Sequence, residues 1–260
     1  MGYNSNNKLN TNSKTSQSEG IILGRNPVTE AIKANKTIDS VYINANAKGS
    51  ISVIVNLCRE NGIVVKRVDD KKLDKMSGGA SHQGVIAMLG CAEYCLVSDI
   101  LDNARQKGED PFIIICDEIE DPHNLGAIIR TAEAVGVHGI IIPKRRSASL
   151  SSTVYKTSAG AASHVLVARV SNLSSAIDEL KQNGVWIYGT DASGDDYTSV
   201  SLKGAAALVI GSEGFGMGRL IKEKCDFLLK LPMFGKINSL NASVAAGIFM
   251  YEAVRQRRQQ

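Results

Sequence analysis

Leu-Val-Ile-Gly-Ser-Glu-Gly-Phe-Gly-Met (208–217), Phe-Leu-Leu-Lys-Leu-Pro-Met (227–233) and Lys-Ile-Asn-Ser-Leu-Asn-Ala-Ser-Val-Ala-Ala-Gly-Ile (236–248) follow one another near the end of the chain. These are short apolar runs broken by loops rich in Gly, Ser and Asn. Runs of this length bounded by turn residues read as buried parallel strands. Glycine lets the backbone bend sharply or approach a ligand closely. The third stretch leads into a helix opened by Ser239 or Asn241, both good caps. Three such loops side by side would line a pocket with backbone N–H and C=O groups, suited to a ligand with an adenine and a ribose.

Working back from this stretch, apolar runs alternate with helical periods. Strands are expected at Phe112–Cys116, Gly139–Ile142, Val165–Val170, Val185–Tyr188, Ala206–Ile210 and Phe227–Leu231. Helices are expected at Leu125–Val135, Thr153–Ala161, Leu173–Gln182 and Gly218–Lys224, with a long last helix. Helices between parallel strands give a doubly wound α/β sheet, whose ligands sit beyond the carboxyl ends of the strands. The loops after residues 188, 210 and 231 all fall at that edge.

A smaller α/β unit precedes this one, with strands at Ile21–Leu23, Ser40–Ile43, Val64–Val68 and Val85–Leu89. Helices at Arg25–Ala34, Ile51–Arg59 and Asp70–Met76 lie between them. Residues 1–19 are Asn, Ser, Thr, Lys and Gln with almost no apolar side chains, and are expected to be disordered. The chain therefore divides into a tail (1–19), a small unit (20–91), a link (92–110) carrying a short amphipathic helix at Val97–Gln106, and a large unit (111–260).

The 260 residues are 43% hydrophobic and 22% charged, with a net charge of +4, as in a globular protein with an ample core. That charge permits a polyanionic partner without requiring one. Cys58, Cys91, Cys95, Cys116 and Cys225 form no C-x-x-C pair, and an odd count without framework spacing points to a reducing cytoplasm. Cys91 and Cys95 lack further ligands at metal spacing, so no metal is expected. No apolar run approaches the roughly 20 residues of a membrane span, so no membrane partner is expected.

The three carboxyl-terminal stretches, with Asp-Pro-His-Asn-Leu-Gly-Ala-Ile-Ile-Arg-Thr-Ala-Glu-Ala (121–134), closely resemble the motifs of the SpoU (TrmH-type) branch of the knotted SPOUT RNA methyltransferases. Ile-Leu-Gly-Arg-Asn-Pro-Val (22–28) and Ser-His-Gln-Gly-Val (81–85) resemble the RlmB group, guanosine 2′-O-methyltransferases of 23S ribosomal RNA. The resemblance implies a trefoil knot in the large unit, which no periodicity reveals. It also implies a small RNA-binding unit like a ribosomal protein, S-adenosylmethionine as cofactor, and a homodimer through the catalytic domain.

Residue by residue, the resemblance implies cofactor contacts at Thr190, Ile210, Gly211, Leu231, Met233 and Leu240. It implies catalytic roles for Arg130, Asn124, Glu213, Ser239 and Asn241. A ribose 2′-hydroxyl is a weak nucleophile, so its methylation needs alignment, a proton sink and stabilised negative charge on oxygen. Arginine stays protonated and is a poor base; Arg130 would stabilise the alkoxide, though a surface ion pair with Glu133 competes for it. Glu213 would orient Arg130 or a backbone turn. Asn124 and Asn241 also read as helix caps. Arg25, Asn26, Lys144, Arg145, Arg146 and Lys156 are candidate RNA contacts, with capping or a solvated face as the alternative. His82 reads as a loop hydrogen-bonder, having no visible carboxylate partner; His123, His138 and His164 read as packing or loop residues. Leu240, Val244, Ile248, Tyr251 and Val254 share one face of the last helix, serving either the domain core or a dimer. A dinucleotide oxidoreductase fails on the fingerprint, because Gly214, Gly216 and Gly218 lack the G-x-G-x-x-G spacing and lie near the carboxyl end. Transfer RNA as substrate and a catalytically silent RNA binder are the remaining alternatives.

Overall fold

The computed structural model describes residues 20–47, 49–90 and 93–258; the tail expected at 1–19, and Cys91, lie outside them. The small unit runs β1 (Ile21–Leu23), α1 (Arg25–Lys33), β2 (Ile38–Asn44), α2 (Ile51–Glu60), β3 (Val64–Val68), α3 (Asp70–Ser77) and β4 (Val85–Leu89). Its sheet order is β1-β4-β2-β3, with β2 and β3 parallel and β4 antiparallel to both β1 and β2. Val28, Ile32, Val41, Ile43, Ile54 and Val85 form its core.

The large unit runs α4 (Val97–Lys107), β5 (Phe112–Cys116), α5 (Pro122–Ala134), β6 (Gly139–Pro143), α6 (Ser152–Thr157), β7 (Val167–Val170) and α7 (Leu173–Gln182). It continues with β8 (Trp186–Asp196), β9 (Ala206–Ile210), α8 (Arg219–Glu223), β10 (Phe227–Lys230) and α9 (Ala242–Arg257). The strands form one parallel sheet in the order β10-β8-β9-β5-β6-β7. Residues of β5 and β9 are buried on both faces, which is why these strands are continuous apolar runs rather than alternating ones. One face packs against α5 and α9 through Ile128, Phe249 and Met250. The other packs against α4 and α7 through Ile100 and Ile177.

Three sequence expectations change. The segment read as a link carries α4, whose Val97, Ile100 and Leu101 are buried in the large unit's core. A Cβ on Gly139 of β6 would stand 2.5 Å from Ile100, so this stretch is a packed layer of the fold. The helix expected at 153–161 stops at Thr157 and resumes as a 3-10 turn at Ala161–Ser163. Strand β8 runs on to Asp196: β10 pairs Leu228 with Gly189 and Leu229 with Asp195. Residues 190–194 therefore bulge out of the ladder, as a loop does, while strand pairing resumes beyond them. Gly194 is required there, because a Cβ would lie 2.4 Å from the backbone of Leu228.

The two units touch through buried charge. Arg169 of β7 pairs with Asp39 of β2 at 2.5 Å, and both side chains are almost fully buried. The guanidinium lies 5.1 Å over the Tyr94 ring. The Tyr94 hydroxyl donates to Asp39 at 3.4 Å and accepts the Leu150 amide at 3.0 Å.

Candidate active site

The carboxyl ends of β8, β9 and β10 open onto a cavity of about 650 Å³. All six residues expected to hold a cofactor line it: Thr190, Ile210, Gly211, Leu231, Met233 and Leu240. Glu213 and Ser239 line it too. The cavity lies beyond the carboxyl ends of the strands, the edge at which parallel sheets hold ligands, with β8 and β10 on one side of β9 and β5, β6 and β7 on the other. The Thr190 hydroxyl donates to the Val209 carbonyl at 2.9 Å, pinning the bulge of β8 to β9.

The glycine loop after β9 folds back on itself. Ser212 and Gly216 exchange backbone hydrogen bonds of 3.0 and 2.9 Å. That closure brings the Gly216 backbone against Gly211, where a Cβ would lie 2.3 Å from the Gly216 carbonyl carbon. The loop's far end is held by Asp117, whose carboxylate accepts the Gly218 amide at 2.7 Å. Burial pushes the Asp117 carboxyl above the usual carboxylate range. Sequence reasoning missed Asp117; its position at the end of an all-apolar strand was the available signal. Lys222 braces the β8 bulge through Asp191 at 2.9 Å and Ser193 at 3.1 Å, and neither Lys222 nor Asp191 was foreseen.

At the cavity edge a polar hub joins three elements. Helix α5 begins three residues earlier than its apolar period suggested, because Asp121 caps it by accepting the His123 amide at 2.9 Å. Asn124 is thus not the cap, and its side chain is free to donate to Glu213 at 2.8 Å. Asn241 is the cap of α9, accepting the amides of Ser243 and Val244 at 3.0 and 3.2 Å. Its amide nitrogen also reaches Asn124 at 2.9 Å and makes a short contact to Glu213. The Ala242 amide adds a third donor to Glu213 at 3.3 Å. Glu213 therefore orients the two asparagines and a backbone turn; no bond from it to Arg130 appears among the described residues. Ser239 lines the cavity without capping α9.

Arg130 is exposed on α5 and is not among the residues lining the cavity. It forms no ion pair with Glu133 among the described residues, so the competing reading of a surface pair falls. Its neighbour Thr131 lines a separate groove of about 620 Å³ with Val244, Ile248 and Tyr251 of α9. These three apolar side chains are 51%, 37% and 58% exposed. The domain core takes the other side of α9 instead, through Ala246, Phe249, Met250 and Ala253.

The candidate RNA contacts are scattered. Arg145 and Lys156 are exposed and Lys144 half-buried, beside the β6 end of the same sheet edge. Arg146 is already paired with Glu118 at 2.7 Å. Arg25 donates to the Gln83 carbonyl at 3.1 Å and to Ser50 at 3.0 Å, tying α1 to two loops, while Asn26 is exposed beside it. His82 does have a carboxylate partner, Asp74 at 3.0 Å, and also accepts the Gly84 amide at 3.0 Å; it is a loop brace, as expected, though not for the reason expected. Burial pushes the Cys58 and Cys95 thiols up to about 11, and those of Cys116 and Cys225 up to about 12, so none is a thiolate nucleophile near neutral pH. Among the described residues no group of three or more His, Cys, Asp or Glu is placed to hold a metal ion. No described helix is long and apolar enough to cross a membrane.

Residues 111–251 match the SpoU rRNA methylase family, and residues 21–95 match the module described as RNA 2′-O ribose methyltransferase substrate binding. The chain belongs to the SpoU family. Protein YacO of Bacillus subtilis (strain 168), assigned to the TrmH family of tRNA/rRNA methyltransferases, is 50% identical over 93% of this chain and 98% of its own length. A TrmH-family relative from Staphylococcus haemolyticus is 46% identical over 92% of this chain and 96% of its own. The SpoU methyltransferase AviRb of Streptomyces viridochromogenes, solved with AdoMet, superposes with a TM-score of 0.58 at 25% identity, covering 92% of this chain and 91% of its own. The cavity and hub are thus the candidate active site of a SpoU/TrmH-family RNA methyltransferase, and the small unit is its substrate-binding module.

Proposed function

We propose that this protein methylates the ribose 2′-oxygen of a guanosine in 23S ribosomal RNA, in the cytoplasm, with S-adenosylmethionine as donor. The observation that carries this reading is the convergence of Thr190, Ile210, Gly211, Leu231, Met233 and Leu240 on one cavity. The fit is chemical as well as spatial. The walls join apolar Ile210, Leu231, Met233 and Leu240 to polar Thr190, Ser212 and Glu213, and at Gly211 the chain passes so close that no Cβ fits. Such walls suit an adenosine and a methionine chain. When bound, the cofactor supplies an electrophilic methyl on a sulfonium.

The chain's own part is positioning and electrostatics. Arg130 holds a permanent positive charge that lowers the cost of an alkoxide on the acceptor oxygen; phosphate or water takes the proton. Glu213, Asn124 and Asn241 fix the loops relative to α5, and Ser239 offers a hydroxyl at the cavity wall. The exposed stripe of Val244, Ile248 and Tyr251 supports a homodimer through α9. Arg130 stands next to that stripe and outside its own cavity, so it serves the partner's cavity across the interface. In the small unit, Arg25 and Asn26 at the start of α1 grip RNA; Lys144, Arg145 and Lys156 take phosphates nearer the site, and Arg146 does so at the expense of its pair with Glu118.

The substrate-binding module at 21–95 supports a ribose 2′-oxygen as acceptor, and the match of residues 111–251 to the SpoU rRNA methylase family supports ribosomal RNA. Relatives named for tRNA/rRNA keep transfer RNA as a second reading. Ribose-methylation mapping of all RNA from cells lacking the protein decides between them. Loss of one guanosine mark in 23S RNA is expected; loss confined to transfer RNA refutes the assignment.

A further inference from the structure

Two phenylalanines stand almost free of the protein: Phe215 is 92% and Phe234 is 96% exposed, more than any other large apolar side chain among the described residues. Leaving a phenyl ring in water forgoes the burial that usually fixes an aromatic residue in place. Their positions are not random. Phe215 lies between Gly214 and Gly216 at the tip of the loop closed by Ser212 and Gly216, and Gly216 lines the cavity. Phe234 directly follows Met233, which lines the same cavity. The two rings therefore project from two of the loops that form the cavity mouth. The hub holds the feet of these loops together, since Glu213 bonds Asn241 and the Ala242 amide.

We propose that Phe215 and Phe234 form a stacking subsite for nucleobases of the RNA, taking the target base or its immediate neighbours as the ribose enters the cavity. The proposal rests on the reading that a ribose 2′-oxygen is the acceptor. A base is attached directly to that ribose, so it must sit at the mouth when the hydroxyl is inside. To get there it leaves its own stack, and a phenyl face at the mouth replaces the lost contact. Phenyl has no hydrogen-bonding group, so it holds any base by its π-face and reads no sequence. The subsite thus contributes grip, and the choice of nucleotide comes from other contacts.

The test uses the full-length protein, unmodified 23S RNA and transfer RNA transcripts, and labelled methyl donor. Phe215→Ala and Phe234→Ala should each raise KM for the methylated RNA about tenfold, with kcat at saturating RNA and cofactor Kd within about twofold of native. Phe215→Trp and Phe234→Trp should keep near-native KM, and their added emission should be quenched when either RNA is bound; Trp186, the single native tryptophan, is subtracted using the native chain. An unchanged KM in the double alanine variant overturns the proposal. So does dissociation of the dimer in either alanine variant, which would make the rings interface residues. If the native chain methylates transfer RNA alone, the ribosomal assignment fails and KM on that transfer RNA decides the stacking. If it methylates neither, the quenching experiment decides alone: absence of quenching by both RNAs overturns the subsite.

Discussion

Gly211→Ala adds one methyl group at the tightest point of the cofactor loop. Its Cβ would lie 2.3 Å from the Gly216 carbonyl carbon, 2.5 Å from the Met217 nitrogen and 2.6 Å from the Gly216 oxygen. All three are backbone atoms, so no side chain can rotate away. The turn is also closed by the paired Ser212 and Gly216 bonds and anchored at Gly218 by Asp117. Relief therefore needs the whole turn to shift by about 1 Å, and overpacking of that kind costs about 1–3 kcal/mol. Gly211 and Gly216 both line the cavity, so the shift deforms its wall. At 1.4 kcal/mol per decade, cofactor Kd should rise about tenfold to a hundredfold. The control is Gly214→Ala on the same loop, where a Cβ meets nothing within 4 Å; its Kd should stay within about twofold of native. Isothermal titration of the cofactor analogue S-adenosylhomocysteine reads both. Equal Kd values for the two variants would refute the view of this loop as a rigid wall of the site.

Arg130→Ala should keep cofactor Kd and lose about a hundredfold or more in turnover; native turnover in a methyl-transfer assay would remove Arg130 from the mechanism. Tyr251→Glu places a charge in the exposed α9 stripe and should give monomers by light scattering, with turnover falling alongside; an active monomer would refute the role of Arg130 across the interface. Asp39→Ala strands the Arg169 charge inside, a loss of about 3–5 kcal/mol. That corresponds to a Tm lower by roughly 10 °C, while Asp39→Leu with Arg169→Met should recover most of it; a Tm within about 1 °C of native for the single variant contradicts this. His138 is buried and neutral, its Nδ1 accepting the Phe112 amide at 2.9 Å and its Nε2 donating to Glu109 at 3.0 Å. Burial lowers its pKa, outweighing the opposite pull of the exposed Glu109 carboxylate. The unfolded chain then binds the proton first, so this stability is full above about pH 6.5 and is lost as pH falls towards the folded value. Tm measured between about pH 7.5 and 5 should fall on acidification, and His138→Gln should flatten that slope; parallel slopes would refute the assignment.

Much of this was legible because both parallel strands and the loops beyond them leave local marks. The all-apolar strands β5 and β9, and the helices α4 and α7, are readable from apolar runs and helical periods that need no tertiary information. What the chain did not disclose were interactions between residues far apart in sequence. Asn124 looked like a cap because it precedes the first run of helical apolar residues, yet Asp121 supplies that cap and Asn124 turns to Glu213. The sequence left the Val244, Ile248 and Tyr251 face of the last helix open between core and dimer, because the helix carries apolar residues nearly all round; only the position of the sheet tells which side is buried. Asp117 carried no local signal beyond its place after β5, and its role appears only when Gly218, 101 residues on, comes back to it. Threading of the chain leaves no periodicity at all, so the knot implied by resemblance has no counterpart in residue-level reading.

The hub accounts for how a site of such scattered origin can act by positioning. Asn124 and Glu213 are 89 residues apart, and Asn241 lies 28 further on. One carboxylate oxygen draws the two asparagine amides and the Ala242 amide together, and Asn241 spends its remaining oxygen on the first turn of α9. The helix bearing Arg130, the glycine loop of the cavity and the helix bearing the apolar stripe are thus locked in one arrangement. In the proposed reaction Arg130 stays protonated and cannot be the base, so this chain's contribution to the rate rests on distance and field. Both are set by where α5 stands relative to the cavity loops and to the exposed stripe of α9. Loosening Glu213 would move the guanidinium, the cavity wall and the exposed α9 stripe at once. For that reason Glu213, which touches neither Arg130 nor the sheet core, acts in the proposed mechanism as a positioning residue.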